Sequence, residues 1–428
     1  MGSWRVLASF VVATSALLGC EGDDNGVPDG GEDVSVEDAE VDASDASVTY
    51  PADHTPIPLV DYNGGRVLGN PEIVTVSFTG DDNPTLIDRV QQLDDIITTT
   101  TWWNDVSSEY CDSTNTCIGV GSSGGHVVIP TPPASSYTDS STGGPSSIKD
   151  FIAANVAPPS DAGVDAASSG GVASILPAPD TNTLYVIYFP SNVSITLDGQ
   201  TSCNSFDAYH NTTILPDVNG IPQTVPYAII PRCGTKESTT TISASHEIIE
   251  ATTDPDIGVG SVGYYMTNNT LWPIAGGEVG DLCEGFGSNG ISWVEATFTL
   301  QRSWSNKSAK ASHDPCVPIP SGEVYFNAAP RESKIVLPTV GSSAVVDIDV
   351  FSDAPYPPWT LNAVDFAAFQ AGMSALSFSF DKATVQNGDY VQLTVTTTMA
   401  LPGGQDEFVI VSTDANNNRH SWPVLATQ

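Results

Sequence analysis

Ser245-His246-Glu247-Ile248-Ile249-Glu250-Ala251-Thr252-Thr253-Asp254-Pro255 is the stretch on which the reading of this chain turns. It has the composition of a helix end, stopped by a proline that cannot continue the helix. His246 and Glu250 are four apart, so on a helix they project from one face. Glu247 lies beside them. The pattern is H-E-x-x-H with its second histidine replaced by a carboxylate. Imidazole and carboxylate are both competent ligands for Zn²⁺, and the intervening glutamate has the place of a general base.

A second acidic cluster follows in Gly276-Gly277-Glu278-Val279-Gly280-Asp281-Leu282-Cys283-Glu284. Hydrolytic zinc sites often take a third ligand from a later segment, with a nearby carboxylate orienting an imidazole. The expected set is therefore His246, Glu250 and Glu278 as ligands, Glu247 as the base, and Asp281 as an orienting group or alternative ligand. His210 follows Cys203, a cysteine expected to be bridged and so fixed in place, and is a further candidate ligand. Zn²⁺ is the first choice of metal. Two carboxylates with one histidine also suit Ca²⁺ or Mn²⁺. The bland alternative is a buried hydrogen-bond network that braces the helix.

The 428 residues carry 13 Lys and Arg against 51 Asp and Glu, a formal charge of −38. A chain this acidic lacks the clustered basic residues that nucleic-acid backbones require. Arg5 and the apolar run from Val6 to Leu18 read as an export signal over residues 1–19, too short to span a membrane. Leu17-Leu18-Gly19-Cys20 is similar to a bacterial lipobox, which would make Cys20 a lipidated membrane anchor. Residues 21–48 hold 11 Asp and Glu with no Lys, Arg or aromatic residue. That composition cannot bury enough surface to fold and reads, with Cys20, as a solvated tether over 20–48. Cys20 aside, six cysteines remain. An even number in an exported chain implies disulfides. Of the 15 connectivities six cysteines allow, the expected one is sequential: Cys111–Cys117, Cys203–Cys233 and Cys283–Cys316.

Ile73–Phe78, Gly125–Ile129, Leu184–Phe189 and Tyr227–Ile230 read as strands, and the near-continuous apolar run of the third predicts burial on both faces. Pro84–Thr98 and Ser146–Val156 read as helices, and Ser135–Pro145 as a loop. Trp102-Trp103 reads as core or groove wall. Strands feeding one long helix with H-E-x-x-E suit a zincin-like α/β (α+β) domain over 49–320. From 321 to 428 the pattern changes to short alternating strands with turn signals, among them Asn387-Gly388. This predicts an all-β immunoglobulin-like sandwich, read as accessory.

The stretches 245–255 and Gly277-Glu278-Val279-Gly280-Asp281-Leu282-Cys283-Glu284-Gly285 resemble the EXORDIUM-like, or phosphate-induced protein 1, family. So do Trp102-Trp103, Leu184–Pro190, Cys203-Asn204-Ser205-Phe206-Asp207-Ala208-Tyr209-His210, Ser303-Trp304-Ser305-Asn306 and Asp314-Pro315-Cys316. The resemblance covers roughly residues 60–320. It implies an extracellular, surface-associated protein in which a glutamate at position 250 belongs to the pattern. Two functions follow as expectations. One is a surface-anchored metal-dependent hydrolase, metallopeptidase-like, acting on an extracellular peptide or cell-wall substrate. The other is a non-catalytic surface protein that binds cell-wall glycan or a partner around a structural metal or hydrogen-bond cluster.

Overall fold

The strand from Thr183 to Phe189 is buried at every position and forms the middle of a five-stranded sheet. In this computed structural model, residues 48–140, 146–156, 175–267, 276–286, 292–365, 368 and 373–428 are described. The export signal, Cys20 and nearly all of the acidic tether lie outside them. The sheet order is Ser122–Ile129, Glu72–Phe78, Thr183–Phe189, Pro222–Pro231, Tyr209–Pro216. The first four strands run parallel, and Tyr209–Pro216 returns antiparallel as the edge.

Each face of this sheet has its own apolar core, which explains why the central strand shows no alternation. Leu184, Val186, Ala228 and Ile230 point to one side, against the helices. Tyr185, Ile187, Tyr227 and Ile229 point to the other, under the Ile148–Asn155 helix. Pro84–Ile96 forms a helix with Asn83 capping it, and Leu86, Val90 and Leu93 are buried. Trp102 and Trp103 sit on a short helix, Thr101–Ser107, and are core residues. Their indole N–H groups donate to the carbonyls of Gln301 and Gly119. The 135–140 part of the expected loop holds a strand, Ser136–Asp139, paired with Ser194–Leu197.

The long helix spans Glu237–Thr253, with Asp254 as its C-cap and Pro255 directly after it. From Ala244 to Thr253 every residue is buried, because the sheet covers one side and the strand Phe298–Gln301 the other. Cys111–Cys117, Cys203–Cys233 and Cys283–Cys316 are joined as disulfides, as suits an oxidising compartment. Among the described residues no helix is long and apolar enough to cross a membrane.

Beyond residue 325 the chain forms two further sheets, four- and five-stranded, that enclose a shared core of Phe326, Ile348, Val391, Phe408, Ile410 and their neighbours. The first of these strands is Phe326–Pro330. Trp359–Asp365 and Arg419–Thr427 lie in the five-stranded of the two sheets.

Candidate metal centre

His246 and Glu250 project together from the last turns of the long helix, with His246 Nε2 3.0 Å from Glu250 Oε2. Both are buried, as is Glu247. His210 reaches the same place from the antiparallel edge strand. It pairs with Ala228 across the sheet, so its side chain shares the helix-facing side of that strand, and the Thr212 hydroxyl on the same face donates to the Pro255 carbonyl. The Cys203–Cys233 disulfide brackets the strand pair that carries it. His210 Nδ1 lies 3.3 Å from Glu247 Oε2 and 3.6 Å from Glu250 Oε2, and its Nε2 is 3.3 Å from Glu278 Oε1.

The third element is the loop 276–280 and the short helix Asp281–Phe286. The amides of Gly280 and Asp281 donate to Glu250 Oε1 at 3.0 and 3.1 Å, which seats the loop on the long helix. Gly280 permits this approach. A Cβ there would stand 2.8 Å from Glu250 Oε1 and 2.9 Å from His246 Nδ1. Gly276, at φ +123°, packs against Asp281, where a side chain would collide with the carboxylate. Asp281 Oδ1 then lies 3.6 Å from His246 Nε2, and Glu284 Oε2 3.8 Å from Nδ1. Cys283 ties this helix to Cys316.

Three sets of donor atoms are close enough to share an ion: His246, Glu247 and Glu250; His210, Glu250 and Glu278; His246, Asp281 and Glu284. Each set holds one histidine. The expected grouping is thereby redistributed, since Glu278 stands with His210 rather than with His246. Four further residues near the cluster were not among the expected ligands. Gln301, on the strand that covers the helix, donates from Nε2 to the Gly280 carbonyl at 2.9 Å, so its Oε1 faces His246 Nδ1 at 3.0 Å. Asp254 accepts the Gly263 amide and is fully buried. Tyr265 packs its ring against Gly277. Glu284 stands exposed at the rim.

The electrostatics are those of crowded carboxylates. Burial pushes Asp254 up to about 7, with the Glu278 charge adding to it. Burial likewise raises Asp281 to about 6, against the pull of His246. Glu250 is driven well above the usual carboxylate range by burial, with His246 opposing. For the two histidines burial works to lower the pKa, but Glu278 and Glu247 around His210, and Glu250 and Glu247 around His246, outweigh it and hold both well above the ordinary value. The cluster therefore binds positive charge strongly, as protons when nothing else is present.

The donor set fits a divalent cation. It offers imidazole nitrogens and carboxylate oxygens only, and His210 Nε2 and Glu278 Oε1 are buried without hydrogen-bond partners. Their 3.3 Å separation is close to the roughly 3.4 Å between two donors about 2.1 Å from a shared tetrahedral ion.

No protein-family model matches the chain, and no curated protein matches it. Among solved structures it is similar to a Bacteroides ovatus GH5 xyloglucanase in complex with a XXXG heptasaccharide, at 12% identity and TM-score 0.17, over 24% of this chain and 19% of that one. It is also similar to a FixG-related protein from Vibrio parahaemolyticus, at 8% identity and TM-score 0.18, over 24% of this chain and 95% of that one. The chain thus spans about a fifth of the xyloglucanase's length. Likenesses this partial carry no argument about activity.

Proposed function

We propose that this cluster holds a divalent metal ion, Zn²⁺ before Mn²⁺ or Ca²⁺, and that the chain is a zincin-like metal-dependent hydrolase displayed on the cell surface by a lipid anchor at Cys20. One observation carries the metal. Glu247, Glu250, Asp254 and Glu278 are all buried. Among the described residues, the ion-pair partners of Glu247, Glu250 and Glu278 are the imidazoles of His210 and His246, and no Lys or Arg, while Asp254 accepts the Gly263 amide. Burying this many carboxylates against only two imidazoles is costly, and a divalent ion would offset that cost.

When bound, the ion would acidify a water and polarise a substrate carbonyl. Glu247 would take the proton, and Asp281 and Glu284 keep the His246 side open to solvent, with side chains 22% and 48% exposed. The sheet with its antiparallel edge strand beside the motif helix supports the zincin-like reading. The two C-terminal sheets we read as an immunoglobulin-like sandwich, and the motifs of the first part as those of the EXORDIUM-like family. The depth of Glu247, 4% exposed and 3.3 Å from His210, favours a second reading, in which a structural ion braces a non-catalytic protein that binds cell-wall glycan or a partner.

The deciding experiment is hydrolysis of a generic unfolded protein by the metal-loaded full chain. Turnover lost by about 10²–10⁴-fold in Glu247→Gln, with metal content unchanged, supports the hydrolase. A metal-loaded wild type without turnover leaves the structural-ion reading, and a wild type that takes up no metal sinks both.

A further inference from the structure

We propose that the cluster is a two-ion centre, with one divalent cation on the His246 side, a second on the His210 side, and Glu250 between them. The inference rests on the metal-binding reading above. Its starting point is that each histidine is oriented separately. Gln301 can donate only from Nε2, and does so to the Gly280 carbonyl, so its Oε1 accepts the Nδ1 proton of His246. Glu247 Oε2 accepts the Nδ1 proton of His210. Both arrangements hold the imidazole by one nitrogen and leave Nε2 as the ligand, the way a second layer of residues fixes metal-bound histidines. His246 Nε2 faces Glu250 Oε2 and Asp281 Oδ1, and His210 Nε2 faces Glu278 Oε1.

No donor set contains both histidines. An ion held by His246, Asp281 and Glu284 leaves His210 Nε2 and Glu278 Oε1 buried 3.3 Å apart without a hydrogen bond, in residues 7% and 8% exposed. Two of the three donor sets, one around each histidine, share Glu250, whose Oε2 lies 3.0 Å from His246 Nε2 and 3.6 Å from His210 Nδ1. Charge points the same way. The three sets contain five carboxylates and two imidazoles. With every carboxylate ionised and both imidazoles neutral, one divalent ion leaves three negative charges and two leave one. The sites also differ in access. The His246 side ends at the exposed Glu284, whereas the His210 side is lined by the buried Glu278. The outer ion is the one that reaches solvent, and the inner ion is structural.

The test is metal stoichiometry. The full chain is stripped with chelator, equilibrated with Mn²⁺, dialysed against metal-free buffer to clear the acidic surface, and its manganese is counted. The wild type should retain about two equivalents, with the electron paramagnetic resonance signal of a coupled pair. Glu278→Gln should retain about one and lose the coupling, with its circular dichroism unchanged. His210→Ala should do the same if it folds, and Glu278→Gln decides if it does not. One equivalent in the wild type overturns the second ion and leaves the proposed function standing. None overturns both. Two equivalents in both the wild type and Glu278→Gln overturn the placement at His210.

Discussion

A substitution at Gly280 tests how tightly the cluster is built at the level of single atoms. Its backbone passes so close to Glu250 and His246 that a methyl group would fall 2.8–2.9 Å from each. The amide that holds Glu250 Oε1 would have to move with it. Gly280→Ala should therefore cost about 1–3 kcal/mol of stability by overpacking and weaken metal binding about 10–100-fold. Urea midpoints and Mn²⁺ titration check this. Gly234→Ala, whose new methyl would meet Thr239 at an ordinary 3.5 Å, serves as the control. The pair His246 and Glu250 was legible in the sequence because helical spacing alone places residues four apart on one face. Gln301 was not. It sits in a buried strand 55 residues from His246, and only the packing of that strand on the helix brings its amide to the ring.

The short helix Asp281–Phe286 depends on what fastens it, because six residues do not make a stable helix unaided. Three attachments hold it: the Glu250 carboxylate on its first amides, the Val279 carbonyl accepting from the Trp304 amide, and the disulfide to Cys316. The last closes a loop of 33 residues. Replacing Cys283 and Cys316 together by serine should cost about 3–4 kcal/mol and detach Asp281 and Glu284, lowering the affinity of the outer ion. Replacing Cys111 and Cys117, six residues apart, should cost about 2 kcal/mol and leave the ions in place. Chemical denaturation with and without Mn²⁺ separates the two. Elements of this kind are poorly legible in sequence. The parallel strands of the sheet announce themselves as apolar runs, and the long helix by its proline stop. The edge strand Tyr209–Pro216, which delivers His210, mixes buried and half-buried polar residues and gives no such pattern.

At the scale of the molecule, the C-terminal sheets share an apolar core with the part that carries the centre. Strand Gln405–Thr413 gives Phe408 and Ile410 to its own core, while Val409 on the opposite face joins the core around the motif helix, together with Trp422, Tyr325 and Phe351. His54 stacks on Phe351 at 3.6 Å, and the Asn387 side chain ties the start of the folded chain to that sheet through Ala52 and Thr49. The turn at Asn387-Gly388 was legible, but its role in this junction was not, because it depends on which strand face the first domain covers. Glu407 shares the joining face with Val409, is 3% exposed, and has no hydrogen-bond partner for either carboxylate oxygen among the described residues. Burial first, and the neighbouring Asp406 second, push its carboxyl up to about 9 from an ordinary 4.5. The folded state thus keeps this proton across a window in which the unfolded chain has released it. Stability from Glu407 is full below about pH 4.5 and is lost as pH rises toward 9. His420, pulled down to about 4 by burial, acts in the opposite sense, costing stability as pH falls below 6.5. A single substitution isolates the first effect. Glu407→Gln keeps the shape without the charge, so it should raise the unfolding temperature by a few degrees at pH 8, and the gain should vanish near pH 4.5. Thermal unfolding of both proteins across that range measures it, and a gain that does not grow with pH would show that Glu407 is not held protonated in the fold.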